Sequence, residues 1–368
     1  MRTFRKKAGT AIVICRILLL TLLALSPASS QPTRNAFGNP SPEVFESPDR
    51  DAWQHPDWVL DQLRLNPGQT VADVGAGSGY FSRRIARRVG SEGRVFAVDI
   101  DPEMLAFTAN LAARAGITNI DTIRVDPGGG PGLAPSSVDL IFICNTLHHI
   151  RNRPTYYPKL IEALRPGGRI VVIDFYKRDL PVGPRDLDHK LAKARVRAEF
   201  TKAGLFIQQD LEGLPYQYFL ISSPLPAIKN AGLLDERTLV SGQPTDGQFA
   251  ELKAMGFKTI LNLRTEKEGS EAEGRVVTDL GLNYLNVPIE ASQITDEQID
   301  LFSQTLMNDA NYPMVVHCGS ANRVGGLILL HRVLKENVEP EEALLEARRV
   351  GLRSALEKLL IKRLSESR

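Results

Sequence analysis

The decapeptide Val71-Ala72-Asp73-Val74-Gly75-Ala76-Gly77-Ser78-Gly79-Tyr80 joins a short apolar run to an amphipathic one. Three glycines at alternate positions let the chain reverse sharply and let a ligand approach the backbone. The turn follows a strand expected over Thr70–Val74 and precedes a helix expected over Phe81–Val89. Open α/β sheets bind their ligands at that end of a strand. The spacing G-x-G-x-G departs from the dinucleotide fingerprint G-x-G-x-x-G and suits a nucleoside without a pyrophosphate. A glycine-rich turn can also be purely structural, so the next strand decides.

That strand, expected over Arg94–Asp99, ends in an acid. A carboxylate there can accept hydrogen bonds from both hydroxyls of a ribose. Asp99 could instead cap the helix expected from Pro102, but Asp101 is better placed for that. Outward from these two motifs, strands and helices alternate to about Ser222, which implies a mostly parallel sheet covered on both faces. Ser223-Pro224-Leu225-Pro226 ends the unit, giving a first α/β domain over residues 50–223.

Together these residues resemble the class I S-adenosylmethionine-dependent methyltransferase family. The resemblance implies a Rossmann-like seven-stranded sheet and S-adenosylmethionine as cofactor, held by Asp73, Gly75, Ala76, Gly77, Gly79, Asp99, Ile100, Asp126 and Asn145. Asp126 stands where the family often places an acid against the adenine amino group. The run Pro127-Gly128-Gly129-Gly130-Pro131-Gly132 after it departs from the family pattern. Asp139–Asn145 resembles the fourth strand, Leu147–Ile150 the segment beside the methyl donor, and Leu164–Gly168 the turn before the fifth strand. The sulfonium is an activated donor, so the protein has to align an acceptor and, where a proton must leave, supply a base. His148 and His149 are the candidate bases, with His149 the catalytic candidate; both could equally be pocket walls. Cys144 reads as a small core residue. The acceptor, a small molecule or a lipid, would meet Lys177, Arg178, Arg185 and His189 after the fifth strand, although these charges also suit a solvated surface.

A second, smaller α/β pattern occupies residues 232–368. Its informative stretch is Met314-Val315-Val316-His317-Cys318-Gly319-Ser320-Ala321-Asn322-Arg323, a strand, a tight loop and the start of a helix. Loop amides and a helix N-terminus attract anions, Arg323 can hold an oxyanion in a fork, and the two together favour a Cys318 thiolate. The motif resembles the active-site loop of protein tyrosine and dual-specificity phosphatases. Ser241-Gly242-Gln243-Pro244 and Thr259–Arg264 resemble early segments of the dual-specificity branch. The resemblance implies Cys318 as nucleophile, Arg323 as anion receptor and an oxyanion or phosphate ester as ligand. Four residues separate Cys318 from Arg323 where phosphatases usually have five. The shorter loop also occurs in rhodanese-like sulfurtransferases, so sulfur transfer and a non-catalytic nucleoside- and anion-binding sensor stay as alternatives. Glu290 and Asp296 are the candidate general acids.

Arg2, Arg5, Lys6 and Lys7, the charge-free run Ile17–Leu25 and the small residues Ala28-Ser29-Ser30 follow the order of a secretory signal. Residues 1–30 are therefore expected to be a signal peptide, or an uncleaved anchor, and residues 31–49 a disordered lead-in. The expected location is exported, periplasmic, or held at the inner membrane by that segment alone. Among 368 residues, 45 Lys and Arg stand against 43 Asp and Glu, a balance that gives no footprint for nucleic acid. Three cysteines are too few for a disulfide framework, and no metal site is expected.

Overall fold

The computed structural model describes residues 41–366. The expected signal segment and the lead-in up to residue 40 lie outside the described residues. From Pro42 onward the chain is one compact unit holding two sheets. Among the described residues no helix is long and apolar enough to cross a membrane.

The disordered lead-in expected over residues 31–49 is corrected from Pro42 on. Pro42–Glu46 is a 3-10 turn, and α1 (Asp49–Gln54) and α2 (Pro56–Leu63) follow it. Local composition disfavours order there, but long-range partners supply it. Glu46 pairs with Arg83 at 2.7 Å, and Asp51 with Arg84 at 3.2 Å. Val59, Leu60 and Leu63 pack α2 into the core.

The first sheet comprises β1 (Thr70–Val74), β2 (Arg94–Asp99), β3 (Ile120–Arg124), β4 (Val138–Cys144), β5 (Leu164–Phe175), β6 (Leu205–Leu211) and β7 (Gln217–Pro224). The spatial order is β3-β2-β1-β4-β5-β7-β6. The first five strands run parallel, and β7 is antiparallel to both β5 and β6. Helices α3 (Tyr80–Val89), α4 (Pro102–Arg114), α5 (Arg153–Ala163) and α6 (Lys193–Ala203) connect the strands. Strands buried on both faces read as continuous apolar runs. Accordingly Leu140, Phe142 and Val171 pack toward α2 and α3, while Ile141, Ile143 and Val172 pack with Leu160 of α5 and Phe200 of α6. The order reverses between β1 and β4, so the ends of these two strands flank an open crevice.

The second sheet holds β8 (Gly232–Leu233), β9 (Thr238–Ser241), β10 (Thr259–Asn262), β11 (Asn283–Asn286) and β12 (Met314–His317), ordered β11-β10-β12-β9-β8. Helices α7 (Asp246–Ala254) and α8 (Ser270–Asp279) cover one face. The other face carries α9 (Asp296–Met307), α10 (Asn322–Leu334), α11 (Pro340–Arg349) and α12 (Ser354–Glu366). The two sheets share a contact. Phe206 of β6 is buried with Ile228, Leu233, Leu239 and Phe249, and its ring stacks on Phe257 at 4.4 Å. Arg197 of α6 donates to Glu236 at 2.8 Å beside it.

Candidate functional site

The glycine-rich turn sits in the crevice between β1 and β4. Gly75 has φ +75°, and a Cβ there would lie 2.2 Å from Thr146, so only glycine fits beneath the segment that follows β4. The Gly75 and Ala76 amides are tied to Val98 O at 2.8 and 3.0 Å, which locks the turn onto β2. At Gly77, with φ +55°, a Cβ would meet nothing within 4 Å. That open space is what a ligand lying on the backbone needs.

Asp99 stands at the edge of this space and is nearly buried. Its Oδ2 accepts from Gly77 N at 2.8 Å and its Oδ1 from Asp101 N at 3.0 Å. Desolvation pushes its pKa up, against these backbone donors. The Ile100 amide also donates to Asp99, and the carboxylate still has acceptor capacity for a ribose hydroxyl. Asp101 caps α4, its side chain accepting from Glu103 N. Ile100 is half-buried next to Asp99. Asp126 is exposed, and with Arg124, Val125, Gly129, Gly130 and Gly132 it lines an open cavity of about 420 Å³. Open backbone at Gly77 and free acceptor capacity at Asp99 fit the nucleoside of S-adenosylmethionine.

Asp73 is buried deeper, its Oδ2 accepting from Ser82 Oγ at 2.6 Å. Burial pushes its pKa up to about 6. Asn145, at the end of β4, takes φ +57°. It joins a ring of amides: Asn145 donates to Gln54 at 3.3 Å, Gln54 to Gln217 at 2.7 Å, and Gln217 back to Asn145. Gln54 belongs to α1, so the segment after Pro42 straps across the mouth of the crevice. Glu46 on the same strap accepts from Ser78 Oγ at 2.5 Å.

The two histidines differ. His148 Nδ1 lies 2.8 Å from Asp174 Oδ1, and both side chains are almost wholly buried. Asp174 also accepts from the amides of His148 and Phe175, at 3.2 and 2.8 Å. A carboxylate facing Nδ1 makes that nitrogen the donor and leaves Nε2 as acceptor. His149 stacks on His148 with ring centroids 4.1 Å apart and faces His189 at 6.1 Å. Its surroundings lower its pKa to about 4, through desolvation first and then His148. Trp53 of α1 and Phe175 pack 5.9 Å apart beside the pair. Cys144 is buried, and burial pushes its thiol far up, in keeping with a core residue. Among the described residues no group of three or more His, Cys, Asp or Glu side chains is placed to hold a metal ion.

In the second sheet β12 delivers Cys318 to a loop crossed by Ser241-Gly242. Gly242 bridges Ser320, and Asn230 Nδ2 donates to Ser320 O at 3.0 Å. Cys318 is 1% exposed at the foot of this loop. Ala321 turns into α10 with φ +66°, a conformation rare outside glycine and typical of constrained functional loops. Arg323 is held from behind. Its Nη1 reaches Glu268 at 2.7 Å and Ile289 O at 3.0 Å, and its Nη2 reaches Glu268 at 2.6 Å. Nη1 also donates to Leu263 O at 3.3 Å. The other donors of the guanidinium face Cys318, with which Arg323 also hydrogen-bonds, and an oxyanion at the thiol could be held there in a fork. Nη2 lies 3.6 Å from where a Cβ on Gly319 would stand. Arg323 hydrogen bonding holds Glu268 down at about 2. Of the two candidate acids, Glu290 is exposed beside Ile289, whereas Asp296 is tied to Arg363 of α12.

Sequence reasoning missed several residues. His317 donates from Nε2 to buried Glu273 at 2.8 Å, and Glu273 also accepts from Gln243, Asn262 and Arg264 at 2.6–3.1 Å. This network braces the strand under Cys318. Glu268 carried a signal that pointed elsewhere, because Thr265 and Glu268 have the spacing of a capping box. Asp174 was visible only as an acid near the end of an apolar strand.

The model of a methyltransferase domain family matches residues 65–219. The model of the family described as DSP-PTPase phosphatase fused to NAD+ kinase matches residues 232–359. Among curated proteins the chain is 31% identical to the ubiquinone/menaquinone biosynthesis C-methyltransferase UbiE of Coxiella burnetii, over 34% of this chain and 50% of that protein. It is 29% identical to the protein of that name from Klebsiella pneumoniae, over 33% and 48%. The chain thus spans about half the length of these relatives. A SAM dependent methyltransferase from Aquifex aeolicus superposes with TM-score 0.47 at 24% identity, covering 49% of this chain and 95% of that one. A candidate phosphatase (DUF442) from Shewanella putrefaciens gives TM-score 0.31 at 22% identity, over 37% and 91%. Residues 65–219 are a methyltransferase domain of the S-adenosylmethionine-dependent kind, and residues 232–359 a phosphatase-like domain joined to it.

Proposed function

We propose that the first domain methylates a small acceptor carrying an acidic hydroxyl or an equally acidic position, with His148 as the base. The observation that carries this reading is the His148–Asp174 pair, which lies on the segment after β4 next to the glycine turn. When bound, the cofactor supplies an activated methyl group. Asp99, the Gly75–Gly79 turn and Asp73 would hold it, and Asn145 would border it. Asp174 fixes the proton on His148 Nδ1, so Nε2 can take the acceptor's proton as the methyl group transfers. The positive charge gained by the ring is stabilised by Asp174, which faces it in a water-poor setting. His149 packs against His148 and, kept neutral by its low pKa, does not repel that charge.

The test compares His148→Gln with wild type in a tritiated-methyl assay over hydroxylated aromatic acceptors and a reference thiol. Loss of about 10²–10⁴ in kcat, the range for a removed general base, with unchanged cofactor affinity supports the assignment. Equal loss on a thiol acceptor already ionised at the assay pH counts against it.

For the second domain the reading is cysteine-dependent hydrolysis of a small phosphate ester. Arg323, held side-on toward the loop, supports it. Cys318 sulfur would bond to phosphorus as the ester oxygen leaves and takes a proton, and water would then release phosphate. Turnover of an aryl phosphate lost in Cys318→Ser supports this. Turnover of thiosulfate and cyanide instead would assign sulfur transfer.

A further inference from the structure

The linker between the two sheets ends on the loop that carries Cys318. Lys229 and Asn230 precede β8 and lie outside the residues matched by the phosphatase-like family model. Lys229 O accepts from Gly242 N at 2.7 Å, Gly242 bridges Ser320, and Asn230 Nδ2 donates to Ser320 O. A Cβ on Gly242 would stand 3.3 Å from both Lys229 Cβ and Gly319 O. The Lys229 stem thus starts beside the residue that follows Cys318. At the other end of the loop, the turn after α11 brings up a second cation. Arg353 N donates to Asn322 Oδ1 at 2.7 Å, and a Cβ on Gly351 would lie 2.7 Å from Ala321 Cβ. Both cationic residues are exposed. Among the described residues neither forms an ion pair, and Arg353 Nη1 reaches the neighbouring Leu352 O at 3.2 Å.

An exposed cation is ordinarily solvated and contributes little. These two differ in how they are held. Main-chain hydrogen bonds fix each of them against the Cys318–Arg323 loop, while the charged ends stay uncommitted. Glu268, the carboxylate that grips Arg323, is spent on Arg323 and Thr265. One oxyanion fits inside the loop. A second anion on the same ligand would meet two cations at the rim, whose fields add. An ammonium and a guanidinium both suit phosphate oxygens. Resting on the phosphatase reading given above, we propose that Lys229 and Arg353 form a second-phosphate subsite. The preferred substrate of this domain is then a small molecule carrying two phosphate groups, one on Arg323 for cleavage and one at the rim. The linker thereby supplies the second domain with a specificity-determining residue.

Phenyl phosphate and benzene-1,3-diyl bisphosphate differ only in a second phosphate. With the full chain and phosphate release as readout, wild type should show a KM for the bisphosphate lower by about tenfold or more. Lys229→Gln and Arg353→Gln keep the main-chain bonds that place these residues. Each should raise KM for the bisphosphate roughly tenfold with kcat held, the signature of lost uniform binding, and KM for phenyl phosphate by no more than about twofold. Equal KM for the two esters in wild type, or variants that shift both esters alike, would overturn the subsite. Absence of turnover on either ester would remove the phosphatase reading instead. The subsite would then be decided by isothermal titration of the same full chain with pyrophosphate and with inorganic phosphate. Pyrophosphate bound about tenfold tighter by wild type, an advantage lost in Lys229→Gln, would retain it, and equal affinities would sink it.

Discussion

Asp73, proposed above to help hold the cofactor, weakens the fold that carries it. Its carboxyl is buried, and desolvation raises its pKa from the ordinary 3.8 to about 6. A folded-state pKa above the unfolded one means a contribution that is complete below about pH 4 and lost as pH rises through 6. At neutral pH the ionised group therefore costs stability, on the order of 2–3 kcal/mol at 1.36 kcal/mol per pKa unit. Asp73→Asn should raise the thermal midpoint at pH 8 by several degrees, with the gain largely gone at pH 4.5. The same variant should bind S-adenosylhomocysteine more weakly. A thermal midpoint lowered at pH 8 would refute the account.

At the scale of elements, the 3-10 turn Glu266–Glu268 acts as the backstop for Arg323. Glu268 closes a capping box with Thr265, its Oε2 accepting from Thr265 N at 2.9 Å, and the same carboxylate grips Arg323 end-on. Because Glu268 titrates near 2, this grip holds throughout the pH range of activity. It is lost only as pH falls through that value. Glu268→Gln should leave the melting temperature nearly unchanged, since the pair is partly exposed. It should raise KM for an aryl phosphate about tenfold through misorientation of the fork. An unaltered KM would show that the loop orients Arg323 by itself.

Legibility also varies by element. The strands flanking the glycine turn could be read from apolar runs bounded by turn residues: β1 and β2 begin and end where the sequence places them. Short β8 was missed because two residues carry no period. Helix α8 was missed because Gly274 and four charges in Ser270–Asp279 hide its apolar face, and Gly274 is there to admit the Tyr284 ring, 2.8 Å from a would-be Cβ. The start of the strap, from Pro42 to Asp49, reads as disorder because its order comes from partners far along the chain, such as Glu46 with Arg83, 37 residues away. Local signals gave the glycine turn, Asp99, Cys318 and Arg323. For Asp174, Glu268 and Glu273, whose part depends on tertiary contact, no local signal pointed to that part.

Over the whole molecule, the two sheets are joined by a shared apolar cluster. Phe206 belongs by sequence to the first domain and by packing to the second. Truncating a buried phenylalanine typically costs 3–5 kcal/mol, and here the loss falls on the contact between domains. Calorimetry of wild type should show one cooperative transition, and Phe206→Ala should split it or shift one component several degrees down. Two separate transitions in wild type would show that the contact does not couple the domains.

The position of Phe206 bears on how the chain is made. It projects from β6, the outermost strand of the seven-stranded sheet, whose free edge offers unpaired amides and carbonyls to any neighbouring strand. On the ribosome the first sheet can close before Phe249 and Phe257 have been synthesised. Until they arrive, an apolar ring and an open edge face solvent together, a combination that invites chain-to-chain pairing. Gene fragments ending near Pro226 should therefore yield more inclusion bodies than the full chain.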